Sequence, residues 1–336
     1  MKISIAKETA SGEKRVLVLP EDARKLVDQG HDVYVEKNAG IDINVYDKDY
    51  ANVGVKIVTD HQELFGDSDL LVKLKIPTPL EFNLMRNNIL FSMLHHVQNP
   101  FCIYYLGKQG LKAVEVESIF NKAKERLVDA TDITGEIGVL YAAQHMDIIP
   151  SEAKALILGY GRVGSGAIKM CNKLGINTKI LRKEEYPFIE HFLRGKNLLI
   201  NAISWPEEER KSKGYVVTED MLDLLNSNAV VLDLAVDFPN PIQTCRPTDL
   251  SNPYYIEKGK VHIGIYGYPG LVPVSSSRRY SRQVLPLLSE IANNKGLENI
   301  AERGPIGKAI GNAVVDPRNF EWKKFKPLET SRGLRE

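Results

Sequence analysis

Short runs rich in valine, isoleucine and leucine recur along the chain, separated by segments whose apolar residues fall at helical spacing. In roughly the first 120 residues the runs lie at 3–6, 32–36, 56–59, 70–75, 89–94 and 112–116. Amphipathic segments such as 20–29 and 100–108 stand between them. Pro20, Glu21 and Asp22 suit a first helical turn, where proline lacks only a spare donor and acids meet the positive dipole end. Strands alternating with helices in this way predict βαβ units and a parallel sheet.

The stretch 127–146 reads as a loop followed by a helix containing 136–144. The alternation then restarts with strands at 154–159, 177–182, 197–203 and 229–235. Helices are expected from Gly164, near 186–193 and at 219–225. A long polar helix over 277–294 is assigned back to the first domain. The expected fold is α/β, with two Rossmann-like parallel-sheet domains. Residues 1–131 plus 277–336 form one, and 132–276 the other. A cleft between them is the expected ligand site. The polar, patternless residues 330–336 are left out of this reading.

The composition narrows the function classes. Two domains suit 336 residues, and 43% hydrophobic content supports packed cores. A net charge of +1 supplies no field for nucleic acid or an anionic membrane. Cys102, Cys171 and Cys245 are far apart, which argues against disulfides and a zinc site and for a reducing compartment. No apolar run reaches about 18 residues, and the opening MKISIAKETA lacks a secretory stretch. The expectation is a cytoplasmic protein without metal, acting on small molecules.

The sharpest motif is Ala155-Leu-Ile-Leu-Gly-Tyr-Gly-Arg-Val-Gly164, an apolar strand running into G-x-G-x-x-G and a helix. Gly159 permits the tight turn, Gly161 admits a pyrophosphate close to the backbone, and Gly164 lets helix and strand approach. Arg162 and Val163 lie in the loop that would wrap the phosphates, and Ala202 ends the strand beside it. A helix N-terminus offers free N–H groups and a positive dipole. Such context predicts dinucleotide binding. At the end of the next strand, where an acid would accept from a ribose 2′-hydroxyl, the chain has Arg182-Lys183. Two cations there favour the 2′-phosphate of NADP(H). The other reading has Glu184 or Glu185 supplying the acid after a small register shift.

Candidate chemistry clusters at other strand ends. Lys73 and Lys75 alternate along 70–75, so both are expected on one face, where a lysine can hold a carboxylate or polarise a carbonyl. His95 and His96 end the strand 89–94, and one imidazole facing the cleft could exchange protons near neutral pH. Asp237 follows the strand 229–235, with Asp233 as its competitor. Arg15 could clamp a carboxylate.

Several stretches together resemble the alanine dehydrogenase and transhydrogenase-like superfamily. They are Lys7-Glu8 with Glu13-Lys-Arg-Val16, Leu71-Val-Lys-Leu-Lys-Ile-Pro77, Leu90-Phe-Ser-Met-Leu-His95, Asp132-Ile-Thr-Gly135, Val231-Leu-Asp-Leu-Ala-Val-Asp237, and Tyr268-Pro-Gly-Leu-Val-Pro273. The resemblance implies that Arg15 and Lys75 hold pyruvate, and that His95 is the acid/base with Asp237 assisting. It also implies a homo-oligomer. Ile76, Phe238-Pro-Asn240, Arg278 and Arg279 depart from the pattern and look more similar to the N5-(carboxyethyl)ornithine synthase branch. That branch implies NADPH-dependent condensation of pyruvate with the side-chain amine of ornithine or lysine, with Arg278 or Arg279 holding the second carboxylate. The alternatives are an alanine dehydrogenase using ammonia, and a dinucleotide-binding sensor without turnover.

Overall fold

A computed structural model describes residues 1–236 and 240–326. The chain divides into two compact units. One holds residues 1–10, 14–129 and those from 277 on, and the other holds 11–13 and 130–276.

The first unit is built on β1 (Lys2–Ile5), β2 (Asp32–Glu36), β3 (Lys56–Val58), β4 (Leu70–Lys75), β5 (Ile89–Met93) and β6 (Lys112–Glu115). These six pair in parallel. A short strand, here numbered last as β13 (Val314–Val315), pairs antiparallel with β6 through Val314 opposite Val114. The order is β13-β6-β5-β4-β1-β2-β3. The chain runs outward from β1 to β3, then jumps back to β4, so the topological switch lies between β1 and β4. Open parallel sheets bind ligands beyond the strand C-termini at that point. Residues 70–74 of β4 are all buried, as a central strand covered on both faces requires.

Pro20 does open a helix, Pro20–Asp28, with Glu21 and Asp22 in its first turn. Asp22 is buried and accepts a 2.6 Å hydrogen bond from Ser281 Oγ. Ser281 Oγ in turn accepts from the Leu19 N–H at 2.9 Å, and Ser277 Oγ from the Val16 N–H at 3.2 Å. The long polar helix, Pro273–Asn293, therefore ties Ser277 and Ser281 to the 16–22 turn of the first unit.

The second unit carries β7 (Lys154–Leu158), β8 (Asn177–Leu181), β9 (Leu198–Asn201), β10 (Val230–Asp233), β11 (Tyr254–Glu257) and β12 (Lys260–Ile263), ordered β11-β12-β10-β9-β7-β8. All pairs are parallel except β11 with β12. Strand periodicity sorts the core. Ala155, Ile157, Leu198, Ile200, Val230 and Leu232 pack on one side with Val139, Ala142 and Ala167. Leu156, Leu158, Leu199 and Val231 pack on the other with Leu193, Trp205 and Leu222.

The expected helix around 136–144 starts earlier, and spans Thr131–Ala143. One glycine on each helix, Gly135 and Gly166, allows it to touch the glycine-loop helix, Arg162–Lys173. A Cβ on Gly135 would stand 2.1 Å from the Val163 carbonyl oxygen, and one on Gly166 2.3 Å from that of Asp132. Among the described residues no helix is long and apolar enough to cross a membrane.

Candidate functional site

The glycine loop joins β7 to the helix Arg162–Lys173. Gly159 has φ +89°, and a Cβ there would meet Ile203 Cγ2 at 2.5 Å. A Cβ on Gly164 would lie 2.5 Å from the Gly159 carbonyl oxygen. Those two glycines are needed by the fold itself. Gly161 is not. Its φ of −64° suits any residue, and a Cβ there would find nothing within 4 Å. Gly161 is the helix N-cap and no side chain caps the turn, so the first N–H groups face the open side. A cavity of about 370 Å³ lies against it, lined by Gly159, Gly161, Arg182, Lys183, Ala202 and Trp205 among others. It sits where β7 meets β9, the switch point of this sheet. The open glycine, the uncapped helix and the cation at the end of β8 fit a dinucleotide: Gly161 and the helix start would hold the diphosphate, and Arg182 the adenosine ribose. Arg162 is exposed at the helix start, and Val163 packs partly into the core.

The end of β8 carries no acid, since the strand stops at Leu181. Of the two alternative acids, Glu184 is exposed and lines the cavity, whereas Glu185 is held by Lys179 at 2.7 Å and by the Arg182 N–H at 2.8 Å. Lys183 is paired with Glu209 at 2.7 Å.

In the first unit the two lysines of β4 part company, contrary to the expectation of one shared face. The register slips between Val72 and Lys75. The Glu8 carboxylate fills that irregularity, accepting from the Leu74 N–H at 2.6 Å and the Lys75 N–H at 3.1 Å. Lys73, 1% exposed, answers the charge at 3.3 Å and also pairs with Glu81 at 3.5 Å. Lys73 is thus a buried structural ion, and Glu8 braces the strand end. Lys75 is instead the cation nearest in effect to His95. Burial, then the Lys75 ammonium, push the His95 imidazole down to about 4, so it is neutral at neutral pH.

His95 stands at φ +45°, an uncommon backbone region for a residue with a side chain. Its N–H donates to the Glu117 carboxylate, and its Nδ1 lies 3.4 Å from Glu117 Oε1. Burial and the Glu115 carboxylate raise Glu117 to about 7. His96 is tied to Glu115 through Nδ1 at 2.8 Å. Arg15 is 3% exposed, its guanidinium 5.8 Å from the Tyr280 ring centre. Arg278 is exposed and Arg279 half-buried on the helix Pro273–Asn293.

Asp237 lies outside the described residues. Its competitor Asp233 is wholly buried, its carboxylate bonded to Asn201 at 2.8 Å, Asn240 at 2.5 Å and the Ala235 and Val236 N–H groups at 3.2 Å. With those oxygens taken, Asp233 shapes the turn that carries Val236, itself at φ +53°. Sequence reasoning overlooked Glu115 and Glu117. Their alternation at the end of β6, next in the sheet to the histidine strand, was the available signal.

Comparison with known proteins places these features in a family. The model described as alanine dehydrogenase/PNT, N-terminal domain, matches residues 4–137, and that of the C-terminal domain matches 182–314. The chain belongs to the alanine dehydrogenase/PNT family, a family of nicotinamide-dependent oxidoreductases. Alanine dehydrogenase 1 of Staphylococcus aureus (strain Mu50 / ATCC 700699) is 28% identical over 336 residues, 89% of each chain. A solved L-alanine dehydrogenase superposes with TM-score 0.82 at 25% identity, over 97% of this chain and 99% of that one. The transhydrogenase from Sinorhizobium meliloti gives 0.77 at 21% identity, over 94% and 99%, a likeness of fold alone.

Proposed function

We propose that this protein interconverts pyruvate plus ammonia and alanine, using a nicotinamide dinucleotide. The observation that carries the reading is the Lys75 ammonium set against a neutral His95 imidazole at neighbouring strand ends, in a chain matching proteins named alanine dehydrogenase over nearly their whole length. Arg15 and Lys75 hold the carboxylate and the carbonyl oxygen. The Lys75 charge draws electrons from the carbonyl carbon as ammonia adds. His95, neutral, takes the proton released by the adding nitrogen. The oxygen gains one proton from solvent to become a hydroxyl, and His95 returns its own proton to that hydroxyl, which leaves as water and yields a protonated imine. A dinucleotide held at Gly161 and the start of the helix Arg162–Lys173 would supply the hydride that converts this protonated imine to the amine. Glu117, through the His95 backbone, fixes the imidazole, and Asp237 is assigned to assist it. Arg182 at the end of β8 supports NADP(H) as the cofactor, the family resemblance supports a homo-oligomer, and the three free cysteines support a reducing compartment such as the cytoplasm.

A second reading replaces ammonia with the side-chain amine of ornithine or lysine, giving an N-(1-carboxyethyl) amino acid. The exposed Arg278, available for a second carboxylate, and the cationic end of β8 favour it, whereas the names of the relatives favour ammonia. Oxidation of NADH and NADPH with pyruvate plus ammonia, ornithine or lysine separates them. Turnover with ammonia alone upholds the first reading, and turnover only with a diamine replaces it. Tight dinucleotide binding with no turnover on any amine returns the protein to a sensor.

A further inference from the structure

One carboxylate at the mouth of the dinucleotide cavity is shared by two lysines. Glu209 sits on the helix Glu207–Lys213, which follows β9. Its Oε1 lies 2.7 Å from Lys183 Nζ, and its Oε2 lies 2.7 Å from Lys213 Nζ. Glu209 and Lys183 line the cavity formed with Gly159, Gly161, Arg182 and Ala202. Lys183 and Lys213 also line an adjoining hollow of about 390 Å³, walled by Tyr186 and Trp205. On an ordinary surface such pairs contribute little. Here the carboxylate is the most covered of the three, 27% exposed against 60% for Lys183 and 53% for Lys213. Its partner Lys183 stands two residues past Leu181, the end of β8, where a ribose-binding acid is expected and the strand itself carries none. Glu184, which also lines the cavity, has no such lysine pair among the described residues.

We propose that Glu209 decides which dinucleotide this protein takes, supplying from the helix after β9 the acid that β8 lacks. The inference rests on the dinucleotide reading of the cavity. A 2′-hydroxyl can donate to the Glu209 carboxylate while both lysine pairs stay in place. A 2′-phosphate brings close to two negative charges against that carboxylate, and must draw Lys183 away from it. Arg182 pulls in the opposite direction, toward phosphate. The preference is therefore a balance between Arg182 and Glu209, and removing the carboxylate frees Lys183 to join Arg182.

The test is the dissociation constant of NADH and of NADPH for the full-length protein and its Glu209→Gln variant, read by fluorescence titration, with a thermal melt of each. Glu209→Gln is expected to move the ratio of the two constants toward NADPH by about three- to tenfold, since a carboxylate no longer faces the close to two negative charges of the 2′-phosphate. Adding Lys183→Met to that variant is expected to cancel most of the gain, and the melts should stay close together. A ratio unchanged within about twofold, or shifted toward NADH, overturns the inference while binding itself keeps the site. Failure of the wild type to bind either dinucleotide overturns the site and this inference with it.

Discussion

Replacing Gly161 with alanine separates what the glycine loop does for the fold from what it does for a ligand. The residue has φ −64° and ψ −168°, and an added Cβ meets no atom within 4 Å. Alanine is a poorer N-cap than glycine by roughly 0.5–1 kcal/mol, largely offset by the roughly 0.4–1 kcal/mol that alanine returns by narrowing the unfolded chain. The fold should therefore lose under about 0.5 kcal/mol, a melting shift of about 1–2 °C for a unit of this size. The methyl group instead points to the open side, where the diphosphate is expected. An extra methyl forced into a packed contact costs about 1–3 kcal/mol, charged here to the complex alone. That raises the dissociation constant about 5- to 150-fold. Gly164→Ala is the contrast, because its Cβ would stand 2.5 Å from the Gly159 carbonyl oxygen. It should lower the melting temperature and weaken binding together. The assay is a ligand-free thermal melt beside a fluorescence titration with NADH and NADPH. Unchanged affinity in Gly161→Ala, or a melting loss equal to that of Gly164→Ala, refutes the reasoning.

Other substitutions probe the remaining parts. His95→Asn should lower kcat by about 10²- to 10⁴-fold, the usual worth of a general acid/base, while dinucleotide affinity holds; a smaller loss removes His95 from the proton path. Gly135→Ala forces a methyl to within 2.1 Å of the Val163 carbonyl oxygen, and should cost about 1–3 kcal/mol by denaturant melt. A neutral result would mean that the two helices part freely. Glu117→Gln tests the buried acid through pH. Glu117 is raised from 4.5 to about 7, so its contribution is present below 4.5 and is lost as pH rises through about 7. His95, lowered from 6.5 to about 4, acts oppositely: the unfolded chain binds the extra proton, and stability is lost as pH falls through that window. With Glu117 gone only the His95 slope remains, so the variant should gain stability from about pH 4 to pH 6.5. Unfolding curves across that range check it, and a variant tracking the wild type contradicts the assignment.

The central parallel strands were legible because burial on both faces leaves them mostly apolar, whereas β2, β3 and β8 are partly exposed. Residues 154–158 and 70–75 are marked by that alone. The hairpin β11–β12 escaped notice because its first strand is half exposed, and its signal is the turn Lys258-Gly259, both at positive φ. At two residues, β13 is too short to leave any periodicity. Within the site, the glycines could be given roles in advance. The separate fates of Lys73 and Lys75 could not, since they depend on a register slip filled by Glu8, some 65 residues away in the chain. Glu209 was equally hidden, because an acid supplied from a helix after β9 leaves no trace at β8.

The late arrival of β13 imposes an order on synthesis. The second unit draws almost entirely on residues 130–276, one continuous stretch that is whole once Ser276 has emerged. The first unit must wait. Until Val314 appears, β6 presents an unpaired row of backbone groups, and until Ser281 appears, the buried Asp22 lacks its hydroxyl. A nascent chain thus carries a finished second unit while the first is a half-built sheet whose bare margin can recruit strands from other chains.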